Sequence, residues 1–363
     1  MEQKNRKLKN SKLKNSKPKE VLTATAPTEA ELERAHKLDF MKAIKLKKFV
    51  PVRGYDFDKG FEIKSFLKAF KQTGFQATNL GIAIDLIKKM RREKCAIILT
   101  YTSNLVTSGI RDIIRWLVQH KHVHALCTTG GGIEEDIMKC FGPFVLGHFE
   151  ADAKELYVRG LNRTGNIYVS DELYIKFEQW LLPILEYFYE RQKRSGKIVS
   201  SIELVQEFGR RLEKEKRKTS SIVYWAYKNK IPLFSPSFLD GAIGDIVWFF
   251  KHKHKDFKID VSEDLFNMNN WPFKASETGL IALGSGTPRH YALNAHIFKG
   301  GVKYAVYITT SNEWDGSTSS SKPSEAYTWG KIKLFEPYEK NSVHVEGDVT
   351  IIFPLIVAGV WGK

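Results

Sequence analysis

Apolar positions along this chain follow two different periods. Over residues 62–72 and 79–93 they recur at helical spacing, with Leu67, Phe70, Leu80, Ile84 and Ile87 as markers. At Ala96-Ile97-Ile98-Leu99-Thr100-Tyr101 the pattern becomes a continuous apolar run, which predicts a strand buried on both faces. That run passes through Thr102-Ser103-Asn104 into an amphipathic helix over 109–120. A second strand, 123–127, runs into Thr128-Thr129-Gly130-Gly131-Gly132 and a helix over 133–140. The same order returns three times. Residues 231–234 lead to Asp240-Gly241, 280–283 lead to Gly284-Ser285-Gly286 and a helix holding His290, and 304–308 lead to Thr309-Thr310 and Asp315-Gly316-Ser317.

Repeated strand, polar or glycine-rich turn and helix predict an α/β fold, with a Rossmann-like, doubly wound, mostly parallel sheet. Residues 156–228 read as a mainly helical insertion, clearest over 174–192. Residues 28–48 read as an N-terminal helical extension, where Thr28 caps and Glu29, Glu31 and Glu33 fill the first turn. The main domain is expected over 49–363, with no linker dividing it.

Composition adds limits. The 363 residues, 42% hydrophobic and 12% aromatic, suit a globular protein with a large core. No run approaches the roughly 20 apolar residues of a membrane span. The start of the chain lacks the apolar core of a signal peptide, so a cytoplasmic protein is expected. Cys95, Cys127 and Cys140 have no metal-ligand spacing and sit among apolar neighbours, so no metal is expected. The net charge of +16 is uneven: residues 1–20 hold seven Lys, one Arg and two Glu. There Leu8-Lys9-Asn10-Ser11-Lys12 is followed by Leu13-Lys14-Asn15-Ser16-Lys17. Residues 1–27 are therefore expected to form a disordered basic tail. The rest of the positive charge carries no nucleic-acid motif, and no specific nucleic-acid partner is expected.

The candidate chemistry falls at the carboxyl ends of the strands, where doubly wound sheets bind ligands. Gly130–Gly132 and Gly284/Gly286 can admit a phosphate to a helix N-terminus, although neither follows the full dinucleotide fingerprint. Glu134, Glu135, Asp240, Asp245, Asp315 and Glu325 recur at that edge and are expected to converge on a polycation. Lys331 closes Pro323-Ser324-Glu325-Ala326-Tyr327-Thr328-Trp329-Gly330-Lys331. A lysine is nucleophilic only when neutral, and an aromatic wall that desolvates it favours that form. His290 is the natural proton acceptor.

Taken together, these segments resemble deoxyhypusine synthases from about Phe49 to the C-terminus. The resemblance rests on Val50-Pro51-Val52-Arg53-Gly54-Tyr55-Asp56-Phe57, Thr73-Gly74-Phe75-Gln76-Ala77-Thr78-Asn79, Thr102-Ser103-Asn104-Leu105, the stretch 128–136, Phe234-Ser235-Pro236 with Asp240-Gly241, and Thr328-Trp329-Gly330-Lys331. It implies that NAD oxidises spermidine and that the four-carbon aminobutyl unit is held as an imine on Lys331. The unit then passes to one lysine of the translation factor 5A precursor, giving deoxyhypusine. His290 falls on the proton acceptor. Glu135, Tyr174, Asp245, Asn294, Ser317, Glu325 and Trp329 fall on positions that hold the polyamine. Ser103, Asn104, Thr107, Thr129, Gly130, Glu134, Asp240, Gly284, Thr309, Asp315 and Asp348 fall on positions lining the NAD site.

The resemblance also implies a homotetramer, a dimer of dimers with sites between two subunits, and an N-terminal helix that plugs a partner's site, here residues 28–40. Three departures stand out: Thr318 replaces an aspartate, Gly284-Ser285-Gly286 replaces a triple glycine, and Tyr291 replaces a histidine. About four extra residues also lie between Lys331 and Val345. The competing readings are a homospermidine synthase, which transfers to putrescine, and a catalytically weak regulatory paralogue acting in a hetero-oligomer.

Overall fold

The computed structural model describes residues 26–37, 49–284, 286–335 and 341–362. Most of the expected tail, residues 38–48 of the expected extension, Ser285 and much of the four-residue insertion lie outside the described residues. The chain divides into two units, Met1–Val50 and Pro51–Lys363. In the first, α1 (Glu29–Lys37) begins with a reciprocal cap: Glu31 N–H donates to Thr28 Oγ1 at 3.3 Å, and Thr28 N–H donates to Glu31 Oε2 at 2.9 Å.

The second unit opens with α2 (Ile63–Thr73) and α3 (Phe75–Arg92), followed by β1 (Ala96–Tyr101), α4 (Ser103–Thr107) and α5 (Ile110–Gln119). Next come β2 (Ala125–Cys127) and α6 (Gly130–Phe141). An insertion holds β3 (Val145–Leu146), α7 (Ala153–Val158), β4 (Leu161–Thr164), β5 (Ile167–Ser170), α8 (Asp171–Ser195), β6 (Val199–Ser200), α9 (Ser201–Leu212) and α10 (Ile222–Lys228). The chain then re-enters the sheet through β7 (Leu233–Phe234), α11 (Ala242–Lys253), β8 (Ile259–Asp260), α12 (Ser262–Asn270), β9 (Thr278–Leu283) and α13 (Thr287–Ile297). It finishes with β10 (Tyr304–Thr309), α14 (Pro323–Thr328), β11 (Ser342–Glu346) and α15 (Val349–Trp361). No helix of the described residues is long and apolar enough to cross a membrane.

The central sheet runs β11-β10-β9-β1-β2-β7, and every pair is parallel. This is the doubly wound order of dinucleotide-binding folds, with the switch point between β1 and β9. Register fixes that junction: Leu99 pairs with Ile281, and Tyr101 with Leu283. Both faces are covered. In β1, Ile97, Leu99 and Tyr101 pack into one core while Ile98 packs into the other. A strand buried on both sides has no reason to alternate, which explains its uninterrupted apolar run.

Two expectations need correction, and a third, the mainly helical insertion, holds with an addition: β3, β5 and β4 form an antiparallel sheet. Its β4–β5 turn is Gly165-Asn166 with Gly165 at φ +60°, a hairpin dipeptide between two short strands. The glycine triplet does not precede a helix but forms its first turn. A side chain on Gly130 would meet Phe238 O at 2.5 Å, and one on Gly132 would meet Thr128 Oγ1 at 2.2 Å. Those contacts let α6 begin flush against its neighbours. Finally, β11 was not anticipated, because His344 and Glu346 interrupt its apolar pattern.

Candidate active site

Lys331 is placed by backbone geometry. α14 starts at Pro323, whose missing N–H costs nothing at a first turn, and ends at Trp329. Gly330 then adopts φ +67°, where a side chain would be strained. The Lys331 N–H donates to Ala326 O at 3.0 Å, and its own carbonyl accepts from Val302 N–H at 2.9 Å. The residue is thus held between the end of α14 and the Val302–Ile332 bridge. Its Nζ lies 5.5 Å from the centre of the Trp329 ring. At the other side, α13 begins after Gly286 at φ +93° and presents Arg289, His290 and Asn294.

These groups share one cavity of about 580 Å³, lined among others by His290, Asn294, Glu325, Trp329 and Lys331, with Arg289, Tyr291, Thr318 and Ser321. Asn294 Nδ2 lies 2.9 Å from His290 Nε2 and can donate to it. Burial pushes the Lys331 amine below the ordinary lysine range; Glu325 opposes this shift and Arg289 reinforces it. Burial, Lys331 and Arg289 also push His290 below its usual range. Near neutral pH the cavity therefore offers a neutral imidazole beside an amine biased toward its free-base form.

A second cavity, of about 300 Å³, opens at the switch point. It is lined by Asn104, Gly284, Thr309 and Asp348, together with Thr102, Thr310, Ser311, Gly347 and Thr350. Gly284 takes φ +72° there. Asp348 caps α15, accepting from Thr350 N–H at 2.7 Å. Hydroxyls, a carboxamide and one acid around a sheet crevice are the donor set that a dinucleotide's ribose and phosphates require. The side-chain hydroxyl of Thr129, at the start of α6, is buried without a hydrogen-bond partner among the described residues.

The third group surrounds the first turn of α6. Ser103 lies against Gly131, where an added side chain would meet its Cβ at 2.9 Å. Glu134 accepts from Ile243 N–H at 2.8 Å and lies against Gly241. Burial raises its carboxyl, and Asp245 and Asp240 add to the shift. Burial pushes Glu135 up to about 7, against a hydrogen bond from Thr107 Oγ1. The Tyr174 hydroxyl, also buried, is pushed up to about 12, with Glu135 and Glu134 contributing. Lys139 ties the site down by donating to Val106 O at 2.7 Å and Thr107 O at 2.6 Å, carbonyls of α4.

The six acids therefore do not converge on one pocket within the chain. Among the lining residues of the Lys331 cavity, Glu325 is the one carboxylate. Glu134, Glu135, Asp240 and Asp245 belong to the α4–α6 cleft. Asp315 is turned back on its own loop, accepting from Ser317 N–H at 2.8 Å and Ser320 Oγ at 2.7 Å. Neither Asp315 nor Ser317 lines either cavity. The loop's short polar side chains satisfy their own backbone, a tendency of Asp and Ser in turns.

A family model described as "Deoxyhypusine synthase" matches residues 65–360. The chain belongs to the deoxyhypusine synthase family. A Pyrococcus furiosus protein named "Probable deoxyhypusine synthase" is 40% identical over 340 residues, covering 91% of this chain and 97% of that one. A Dictyostelium discoideum protein of the same description is 38% identical, covering 94% of each. One from Schizosaccharomyces pombe is 41% identical, covering 84% and 88%. A crystal structure from Entamoeba histolytica whose description also names deoxyhypusine synthase aligns with a TM-score of 0.59 at 28% identity, over 85% of this chain and 96% of that one. The protein is accordingly an enzyme.

The sequence reading missed some of the lining. Leu265 and Asn269 reach the Lys331 cavity from α12, and Ser321 from the loop before α14. Nothing in their local pattern marks them, because their role depends on a packing between segments far apart in sequence. Arg289 did carry a signal: a cation one residue before the expected proton acceptor.

Proposed function

We propose that the protein transfers the 4-aminobutyl group of spermidine to one lysine of the translation factor 5A precursor, through an imine on Lys331. The observation that carries this reading is the cavity that groups Lys331 with His290, Asn294, Glu325 and Trp329. Trp329 covers the Lys331 amine, and its ring also offers a face to a substrate ammonium. Glu325, on the exposed rim, holds a protonated amine at the mouth. His290, kept neutral by burial and oriented by Asn294, takes the proton from the amine being oxidised. Lys331, biased toward its free base, then attacks the imine carbon, the old carbon–nitrogen bond breaks to release 1,3-diaminopropane, and Lys331 carries the four-carbon unit as an imine until the acceptor lysine displaces it in the same way.

Bound NAD would supply hydride acceptance and return. Asn104, Gly284, Thr309 and Asp348, with Ser103, Thr107, Thr129, Gly130, Glu134 and Asp240 on the adjoining α4–α6 edge, are the residues that would hold it. Glu135, Tyr174 and Asp245 would hold a polyamine end. Their absence from the lining of the Lys331 cavity supports a composite site formed between subunits; the reading further takes the assembly to be a cytoplasmic homotetramer, with residues 28–40 as a plug.

The test incubates the pure full-length protein with labelled spermidine, NAD and the factor 5A precursor. Label on the factor is expected. Label on putrescine instead would identify a homospermidine synthase. Turnover that requires a second homologous chain would favour the regulatory reading, to which the hydroxyl at Thr318 lends support.

A further inference from the structure

Arg289 is the one fully buried charge of the Lys331 cavity, only 2% exposed. Buried guanidinium groups are ordinarily paired with a carboxylate. This one is not: among the described residues its Nη2 donates to neutral acceptors, the Thr318 carbonyl and Ser321 Oγ, the latter at 3.0 Å, and its Nη1 has no partner. Its carbon lies 4.6 Å from the centre of the Tyr307 ring, which anchors the group without cancelling its charge. Arginine cannot shed its proton in this pH range.

Among the described residues the surroundings offer one opposing charge, the exposed Glu325, and no ion pair. α13 contributes Arg289 itself, His290 and the neutral phenol of Tyr291, which hydrogen-bonds to Asp264 of α12 at 3.3 Å. α12 contributes the uncharged Leu265 and Asn269. The loop before α14 contributes the hydroxyls of Thr318 and Ser321. α14 contributes Glu325, which is exposed. Nearby cations are already matched, Lys333 with Glu277 and Lys322 with Glu313, each at 2.7 Å. Position 318 is where a carboxylate would stand beside the guanidinium, since the Thr318 backbone already touches it.

We propose that Arg289 is a positioning residue: a charge in the cavity wall with no ion-pair partner, left unpaired by the hydroxyl residue at 318, that favours the unprotonated amine of Lys331 against the opposing pull of the exposed Glu325. Burial pushes both Lys331 and His290 down and Arg289 adds to each shift, while Glu325 opposes it at Lys331. Thr318 is then an electrostatic adjustment and not a lesion. The arrangement favours a free nucleophile at lower pH, in exchange for weaker attraction of a polycation. Its purpose rests on the reading of Lys331 as an imine former, but its test does not.

The test measures the titration of Lys331 directly. The full-length protein is labelled with limiting acetic anhydride from about pH 6 to about pH 11, and the Lys331 peptide is quantified by mass spectrometry. Thr318→Asp is expected to raise the labelling midpoint by about one pH unit, because its carboxylate would pair the guanidinium. Thr318→Asn, an uncharged control, should leave the midpoint in place. Arg289→Gln should raise it similarly. Position 318 is exposed, so the Thr318 variants decide the matter even if the buried Arg289 variant does not fold. Equal midpoints for Thr318→Asp and Thr318→Asn in folded protein overturn the proposal. A shifted midpoint in a protein that transfers no label from spermidine would uphold it while refuting the imine reading.

Discussion

The Lys331 cavity and the α4–α6 cleft are both rich in ionisable groups, yet they treat charge in opposite ways. Around Lys331, apolar burial and Arg289 disfavour the ammonium, with the exposed Glu325 as the opposing acid. Around α6, buried carboxylates crowd one another, and Glu135 is pushed up to about 7. The first environment is suited to making a nucleophile. The second gathers acids that Lys139 only partly offsets at Glu135 and is suited to receiving further positive charge. Under the proposed function, the contrast separates two tasks: keeping an amine neutral for chemistry and accepting amines as cations.

The largest expected effect comes from removing the nucleophile. Lys331→Ala should abolish transfer to the factor while leaving some NAD-dependent spermidine cleavage, measured by release of the diamine. Lys331→Arg should be equally inactive in transfer, because guanidinium keeps its proton. Full-rate transfer by either variant would erase the distinction between the two regions. His290→Gln should follow, with kcat falling by about two to four orders of magnitude, since an amide can accept the Asn294 hydrogen bond but cannot serve as a base.

Glu135 probes the other region. Its folded-state value of about 7 lies above the unfolded value of 4.5, so the folded state binds the proton more tightly. Stability should therefore be greatest below the unfolded value and decline as pH rises through about 7. Glu135→Gln should flatten that decline by about 1–3 kcal/mol, read from urea unfolding at several pH values. An unchanged slope would mean that the cleft does not hold an uncompensated acid. Thr318→Asp adds an acid to the basic region. Spermidine KM should fall several-fold, and an unchanged KM would show that another carboxylate already fills that place. Deleting residues 1–20 should have the smallest effect, with kcat/KM on the factor unchanged; a large loss would give the tail a role in substrate capture.

Much of the fold was legible because its central strands are buried on both faces. Continuous apolar runs such as 96–101 need no tertiary information to be recognised. By contrast, β11 lies at the sheet edge with a broken pattern, and the strands of the β3–β5–β4 sheet are only two to four residues long, too short to display a period. Their stability comes from neighbours that a linear pattern does not display. In the Lys331 cavity, the residues on α13 and α14 were legible because each short segment carries several of them at helical spacing. The placement of the acids was not. Glu325 and Glu134 both follow strand ends, but α14 carries Glu325 to the Lys331 cavity while α6 buries Glu134 against the Ile243 amide, a distinction made by packing and not by spacing. Asp315 was misplaced for a local reason, since its own loop consumes its hydrogen-bonding capacity.

The central claim is that Lys331 carries the aminobutyl unit. Its most direct test is to trap that unit: the protein is mixed with NAD and spermidine labelled in the butyl portion, without the acceptor factor, then reduced with borohydride and digested. The account predicts one labelled peptide, with the adduct on Lys331 and none in Lys331→Ala. Label on a different lysine, or transfer to the factor at full rate with no trappable adduct, would contradict it.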